Sequence, residues 1–129
     1  MAKIERFEQI EAWRRGRELA KAIYSATSRS GFSRDYGLKE QMRRAVVSVL
    51  SNIAEGFERG GNREFVQYLS LAKGSVGEVK AQLYVALDAG YLEEVTFATL
   101  YDLADETGRL IGGFMRYLSA STYKGNKFK

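Results

Sequence analysis

A chain of 129 residues is long enough for one compact domain and too short for two ordinary ones. It has no cysteine and no histidine, which excludes disulfides, thiolate or imidazole metal sites and histidine-dependent nucleophiles. An excess of 20 Lys and Arg over 16 Asp and Glu gives a net charge of +4, which permits binding to a polyanion.

The first predicted helix covers about residues 7–28, where apolar residues recur at spacings of three and four. It ends at the sequence SRSGFSRDYG. The second covers about residues 37–59 and ends at RGGN, whose paired glycines suit a left-handed helix cap.

The third predicted helix, about residues 62–89, has the most regular repeat, from Phe65 to Ala86, and ends at DAGYL. Its glycines Gly74 and Gly77 predict close packing against another helix. The fourth covers about residues 95–120 and leads into a basic tail over residues 121–129.

Short connections near residues 30–36, 59–62 and 89–94 require neighbouring helices to run antiparallel. The sequence therefore predicts an all-α fold, with residues 1–129 forming a single up-down-up-down antiparallel four-helix bundle. The residues predicted to be buried in its core are Trp13, Ile53, Leu69, Val76, Leu83, Ile111 and Met115.

The second and fourth helices carry more apolar surface than one core requires. The surplus includes Val46, Val47 and Leu50 on the second helix and, on the fourth, Leu103, Leu110, Phe114 and Tyr117. Such area on a small domain indicates a subunit interface, and the alternative is deeper burial within the chain's own bundle.

A polar ribbon of Ser48, Ser51, Asn52 and Glu55 follows the second helix. Its small side chains would allow another helix to approach, with Asn52 and Glu55 forming hydrogen bonds across the subunit contact. The alternative interpretation is a solvated helix face.

The segment YGLKEQMRRAVVSVLSNIAEGFERGGNREFVQYLSLAKGSVGEVKAQLYVALDAGYL resembles the bacterial four-helix-bundle proteins encoded in intervening sequences of 23S ribosomal RNA genes, the S23 family. The blocks YGL, SNIAEG and AKGS, in this order and spacing, carry the resemblance. First-helix residues also fit the family pattern: Phe7, Ile10, Trp13, Leu19, Ile23 and Tyr24.

The resemblance implies a homopentamer of bundles arranged as a barrel around a central channel. It also implies kinship with the accessory subunit of diversity-generating retroelements, a basic pentamer that binds a reverse transcriptase and its RNA. No biochemical activity comes with the family name itself.

Catalysis finds little support in the residue types. Di-iron bundles use Glu-x-x-His pairs, which a chain without histidine cannot supply. Ion pairs and helix caps explain Glu55, Glu64 and Glu78 more simply than acid–base chemistry. We therefore expect no enzymatic activity and no cofactor.

Basic residues provide the candidate binding surface. Arg14, Arg17 and Lys21 share one face of the first helix, Arg43 and Arg44 lie on the second, and the tail adds Lys124, Lys127 and Lys129. Two hypotheses remain open: an oligomer that binds structured RNA or DNA through backbone charge and shape, and a protein-partner scaffold such as a reverse transcriptase accessory subunit.

The sequence offers no sign of a membrane partner. No apolar run approaches the ~20 residues that span a bilayer. The N-terminal MAKIERFEQIEAW lacks the apolar segment and cleavage site of a secretory signal. We therefore expect a cytoplasmic protein.

Overall fold

Four long helices form the chain. The computed structural model describes the backbone of residues 3–125 and the side chains of residues 3–121. Single-turn 3₁₀ helices at Phe7–Gln9 and Phe32–Arg34 precede the first two long helices, and the described residues contain no strand. The predicted all-α four-helix fold is therefore confirmed. The long helices are α1 (Glu11–Thr27), α2 (Tyr36–Arg59), α3 (Asn62–Asp88) and α4 (Glu94–Gly125).

The helices form an antiparallel ring. Each one packs against its neighbours in the chain, and α4 closes the ring by packing against α1. α1 and α3 therefore lie at diagonal corners. A single core runs along the bundle axis, and its largest fully buried apolar side chains are Leu19, Ile23, Phe32, Met42, Val46, Val49, Ile53, Leu69, Val79, Leu83 and Ile111.

The ends of the first and last helices differ from the predicted bounds. Ile10 adopts an extended conformation (φ −75°, ψ 124°), so α1 begins at Glu11 and Phe7 belongs to the separate 3₁₀ turn. α4 continues to Gly125 and so includes positions that the sequence pattern assigned to the tail.

One end of the bundle is fixed by contacts between the α1–α2 and α3–α4 connections. Asp35 caps α2, with one carboxylate oxygen accepting a hydrogen bond from the Leu38 amide at 3.1 Å and the other from the Tyr91 hydroxyl at 3.0 Å. The Tyr91 ring also stacks on buried Phe32, with 5.0 Å between ring centres. The hydrogen bond that its hydroxyl donates to the Asp35 carboxylate raises the pKa of Tyr91 above its ordinary value.

Two predicted core residues are only partly buried. Trp13 and Met115 lie against the edge of the core, whereas Ile53, Leu69, Val76, Leu83 and Ile111 are buried as predicted. The core position in this turn of α1 is occupied by Ala12 rather than by Trp13. The two neighbouring residues are both apolar, and the smaller one is buried.

Glycines allow close packing at positions other than those predicted. A β-carbon at Gly56 would lie 2.7 Å from Tyr68 Cβ and 2.9 Å from Phe65 Cδ1, so only glycine fits this α2–α3 contact. Gly74 and Gly77 have no neighbouring atom within 4 Å of such a β-carbon, so the prediction that they mark close packing is wrong. Both face open space.

Candidate nucleic-acid and subunit interfaces

The first candidate surface is the α1 stripe, formed by Arg14, Arg17 and Lys21. All three side chains are exposed and none forms an ion pair with a described residue. The Nε of Arg14 donates to the backbone oxygen of Glu8 at 2.9 Å, and the Arg17 guanidinium lies 6.0 Å from the centre of the Trp13 ring. Neither contact neutralises a charge. The stripe thus presents three positive charges without an ion-pair partner among the described residues, along about 10 Å of helix.

Arg43 makes contacts within the chain. Its Nε donates to Thr27 Oγ1 at 2.9 Å and its Nη2 to Ser28 Oγ at 3.0 Å, so it links α2 to the end of α1. Arg44 is 82% exposed and pairs with Glu40 at 3.5 Å, and no contact joins it to the α1 stripe. Of the predicted basic residues on α2, Arg43 is therefore engaged by α1, and Arg44 has an acidic partner on its own helix.

Most of the basic tail lies outside the described residues. Lys124 lies on the last turn of α4, but its side chain is outside the described residues. Lys127 and Lys129 lie outside them entirely. Their predicted role in nucleic-acid binding stays a prediction.

Much of the predicted subunit interface is used inside the monomer. Val46 is fully buried in the core, so its assignment to a subunit surface is wrong. Leu50, Leu103, Leu110 and Phe114 are half-buried and pack against the core. Among the predicted apolar interface residues, those with strongly exposed side chains are Val47 (42%) and Tyr117 (43%).

The position of α1 explains the wide apolar faces of its two neighbours. A β-carbon at Gly16 would lie 3.3 Å from Leu50 on α2 and 3.7 Å from Thr107 on α4, so α1 sits closely between them. Beyond the start of α1, a groove of about 540 Å³ remains open beside Leu110, Phe114 and Tyr117. The surplus apolar surface of α2 and α4 is thus partly covered by α1 of the same chain.

The polar ribbon of α2 forms hydrogen bonds across a helix contact within the chain. The hydroxyls of Ser48 and Ser75 are 2.9 Å apart and join α2 to α3, and the Asn52 amide donates to Ser48. Glu55 accepts from Arg59 at 3.1 Å and from the Tyr68 hydroxyl at 3.3 Å. The polar ribbon therefore does form hydrogen bonds to another helix, but that helix is α3 of the same chain.

The structure contains a second basic surface that the sequence did not predict. Between α3 and α4 lies a groove of about 370 Å³, here called the α3–α4 groove, whose glycine floor includes Gly77. The α3 half of the groove can be recognised from sequence spacing, because Lys73, Gly77 and Lys80 share one face of α3. The opposing half comes from α4, and sequence periodicity does not show which faces meet. The charged residues that line the groove are Lys73, Lys80, Asp105, Arg109 and Arg116.

Asp105 is the carboxylate of this groove. It accepts a hydrogen bond from Lys80 Nζ at 2.8 Å and pairs with Arg109 through its other oxygen. The Lys80 hydrogen bond is the largest cause that lowers the pKa of Asp105 and raises the pKa of Lys80. Lys73 and Arg116 form no ion pair with a described residue.

The described part of the chain offers neither metal ligands nor a membrane segment. Three or more acidic side chains do not come together there in a way that could hold a metal ion. None of the described helices combines the length and apolar character needed to cross a bilayer.

Comparison with known proteins identifies similar sequences and folds. A family model described as "23S rRNA-intervening sequence protein" matches residues 8–113. Among solved structures, a protein of unknown function from the S23 ribosomal protein family of Bacteroides thetaiotaomicron VPI-5482 has a TM-score of 0.74 at 15% identity. The similarity covers 81% of this chain and 95% of that one. A comparison with curated protein sequences found no match.

Proposed function

Because the chain belongs to the 23S rRNA-intervening sequence protein family, we propose that it is a noncatalytic, homo-oligomeric protein that binds structured RNA through the α1 stripe. The observation that most directly supports RNA binding is the set of three exposed cations, Arg14, Arg17 and Lys21, without a carboxylate partner among the described residues. Arg43 has a structural role in this proposal.

The α1 stripe is suited to phosphates rather than to base edges. Cations on one helix face can neutralise phosphates and release their counterions, which gives binding that weakens steeply with salt. The fold provides no zinc site and no sheet for base stacking within the described residues. Recognition would therefore depend on the charge and shape of the RNA backbone.

Oligomerisation would strengthen this binding. A net charge of +4 per chain becomes about +20 in a pentamer, the stoichiometry that the family resemblance implies. An RNA that spans several subunits engages several stripes at once, so weak contacts act together. The exposed side chains of Val47 and Tyr117 are candidates for the subunit contact, with Leu50, Leu103, Leu110 and Phe114 beside them.

A triple variant tests the proposed RNA surface. Replacing Arg14, Arg17 and Lys21 with glutamine should weaken binding of a labelled RNA hairpin. It should also lower the slope of log affinity against log salt concentration by roughly 2 to 3 for each stripe that the RNA engages, since each stripe loses three phosphate contacts. The matched control replaces three exposed arginines elsewhere that form no ion pair with a described residue. These are Arg29, Arg34 and Arg63.

The two variants lose the same charge, so their difference reports the location of the site. Greater weakening by the α1 stripe variant supports the proposal, and equal weakening contradicts it. If the parent protein does not bind the hairpin even at low salt, RNA binding is excluded and the protein-partner scaffold becomes the better interpretation.

The oligomeric part of the proposal has a separate test. Light scattering at micromolar concentration should give about five times the chain mass of 14.5 kDa. A monomer mass would contradict self-association, and a dimer mass would contradict the stoichiometry alone. The α1 stripe variant should keep the parent mass, because its substituted side chains are not part of the proposed subunit contact.

A further inference from the structure

We infer that the α3–α4 groove binds the sugar-phosphate backbone of single-stranded nucleic acid, with a base stacked on Tyr84 at the end of the groove. This goes beyond the proposed function, since the groove is formed by α3 and α4, whereas the α1 stripe lies on a different helix and is proposed to bind structured RNA.

The charges of the groove favour an anionic ligand. Four cationic side chains and one carboxylate line it, so its net charge is +3. Asp105 interacts with Lys80 and Arg109, whereas Lys73 and Arg116 have no described carboxylate partner. Like charges gathered around one concavity repel each other, and a bound polyanion relieves that repulsion.

The floor of the groove allows a backbone to approach closely. A β-carbon at Gly77 would find no atom within 4 Å, so the space above it is open. The Lys73 side chain and the Arg116 guanidinium lie over Gly112, with distances of 3.4 and 3.6 Å to its hypothetical β-carbon. With a volume of about 370 Å³, the groove is too small to enclose a duplex.

Aromatic rings continue the line of the groove. Tyr84 lies one turn beyond Lys80 on α3 and is 51% exposed. Its ring contacts Phe97 and Tyr101, with ring centres 4.9 and 5.6 Å away, and Lys80 Nζ lies 5.0 Å from the Tyr101 ring centre. Cations beside a stacking platform are the combination that binds single strands without sequence preference. From Lys73 to Tyr84 the path is about 16 Å long.

Two glycine variants provide the sharpest test. Gly77 lines the groove, whereas Gly74 does not, and neither has an atom within 4 Å of a hypothetical β-carbon. Both Gly77→Glu and Gly74→Glu add the same charge to the same helix. Fluorescence anisotropy should measure their binding to a labelled twelve-nucleotide oligouridylate, in the background of the α1 stripe variant so that the first site does not contribute. Gly77→Glu should weaken binding by about tenfold or more, because its carboxylate repels phosphates in the groove, whereas Gly74→Glu should weaken it by less than about threefold.

Charge and stacking contributions can be separated in the same assay. Replacing Lys73 and Arg116 with glutamine should lower the salt slope by about 1.4, for two lost single-strand phosphate contacts. Tyr84→Leu should weaken binding roughly 5- to 150-fold without changing the salt slope, because it removes the ring on which one base stacks and removes no charge. Tyr36→Leu is the matched control, since Tyr36 is 69% exposed and lies outside the groove.

Three results would overturn the inference. The first is an equal effect of Gly77→Glu and Gly74→Glu on affinity, and the second is no oligouridylate binding at low salt. The third is a polyglutamate peptide that binds as tightly as the oligouridylate and loses the same affinity in Tyr84→Leu. The last result would assign the groove to acidic proteins. Because the assay uses a single strand and a protein without the α1 stripe, its failure leaves the proposed hairpin binding untouched.

Discussion

The guanidinium carbon of Arg43 lies 4.3 Å from the centre of the Tyr24 ring. This cation–π contact joins α2 to the last turns of α1, and the hydrogen bonds of Arg43 to Thr27 and Ser28 reinforce it. Since α1 is the shortest of the four long helices, a fixed point at its end contributes strongly to its position on the bundle.

Arg43→Gln should therefore destabilise the fold. It removes a cation–π contact and two hydrogen bonds, one of them to the hydroxyl of fully buried Thr27, for an expected loss of about 1–3 kcal/mol. Arg44→Gln is the matched control, because Arg44 is 82% exposed and pairs only with Glu40 among the described residues. Urea denaturation measures the stability of both variants. If the two are equally stable, Arg43 is a surface charge without a structural role and becomes a candidate for the RNA site again.

Two glycines of neighbouring helices should respond to alanine with opposite signs. Gly56→Ala places a β-carbon 2.7 Å from Tyr68 Cβ and should cost about 1–3 kcal/mol through overpacking. Gly74→Ala meets no atom within 4 Å and should stabilise α3 by about 0.5–1 kcal/mol through helix propensity. Thermal unfolding of the pair checks this, and destabilisation by both substitutions would mean that Gly74 is packed against a partner.

Leu83→Ala should cost about 2–5 kcal/mol, because Leu83 is fully buried and its truncation leaves a cavity. Leu71→Ala on the same helix is the control, since Leu71 is 58% exposed and its loss should change stability by less than about 0.5 kcal/mol. Chemical denaturation showing a loss under about 1 kcal/mol for Leu83→Ala would contradict the assignment of the core.

The Lys80–Asp105 pair should make stability depend on pH in acid. Its hydrogen bond lowers the folded-state pKa of Asp105, so the stabilisation is complete above the ordinary aspartate pKa of about 3.9 and is lost as pH falls through the lower folded value. Asp105→Asn should therefore flatten the fall in stability between about pH 5 and pH 2. Asp102→Asn, at an exposed position on the same helix, is the control. Equal flattening in both variants would contradict a specific role for the pair.

The sequence predicted the fold well because heptad spacing and glycine connections are local signals. Ile53, Leu69 and Leu83 are buried where the repeat placed them. The prediction failed for Trp13 because two adjacent lines of α1 are apolar, and three-dimensional packing chooses between them. Phe7 covers one edge of the Trp13 ring, with ring centres 5.0 Å apart, which a helix starting at Phe7 would not have allowed.

Surface features were harder to predict, since they depend on which helix faces meet. The width of the apolar faces on α2 and α4 indicated a subunit contact, but Gly16 allows α1 to occupy part of that surface. Gly77 indicated close packing from sequence and instead forms the open floor of the α3–α4 groove. A glycine in the sequence shows where another helix could approach the backbone, but only the packing of the neighbouring helices decides whether one does.

The salt dependence of RNA binding by the parent protein tests the central proposal most directly. A labelled RNA hairpin titrated at about 50 and 200 mM salt should bind tightly at the lower concentration. Its affinity should fall by roughly a hundredfold or more at the higher one, since a ligand that contacts several subunits neutralises many phosphates. Binding that is absent at low salt, or that stays unchanged between the two concentrations, would contradict recognition of the RNA backbone by basic residues.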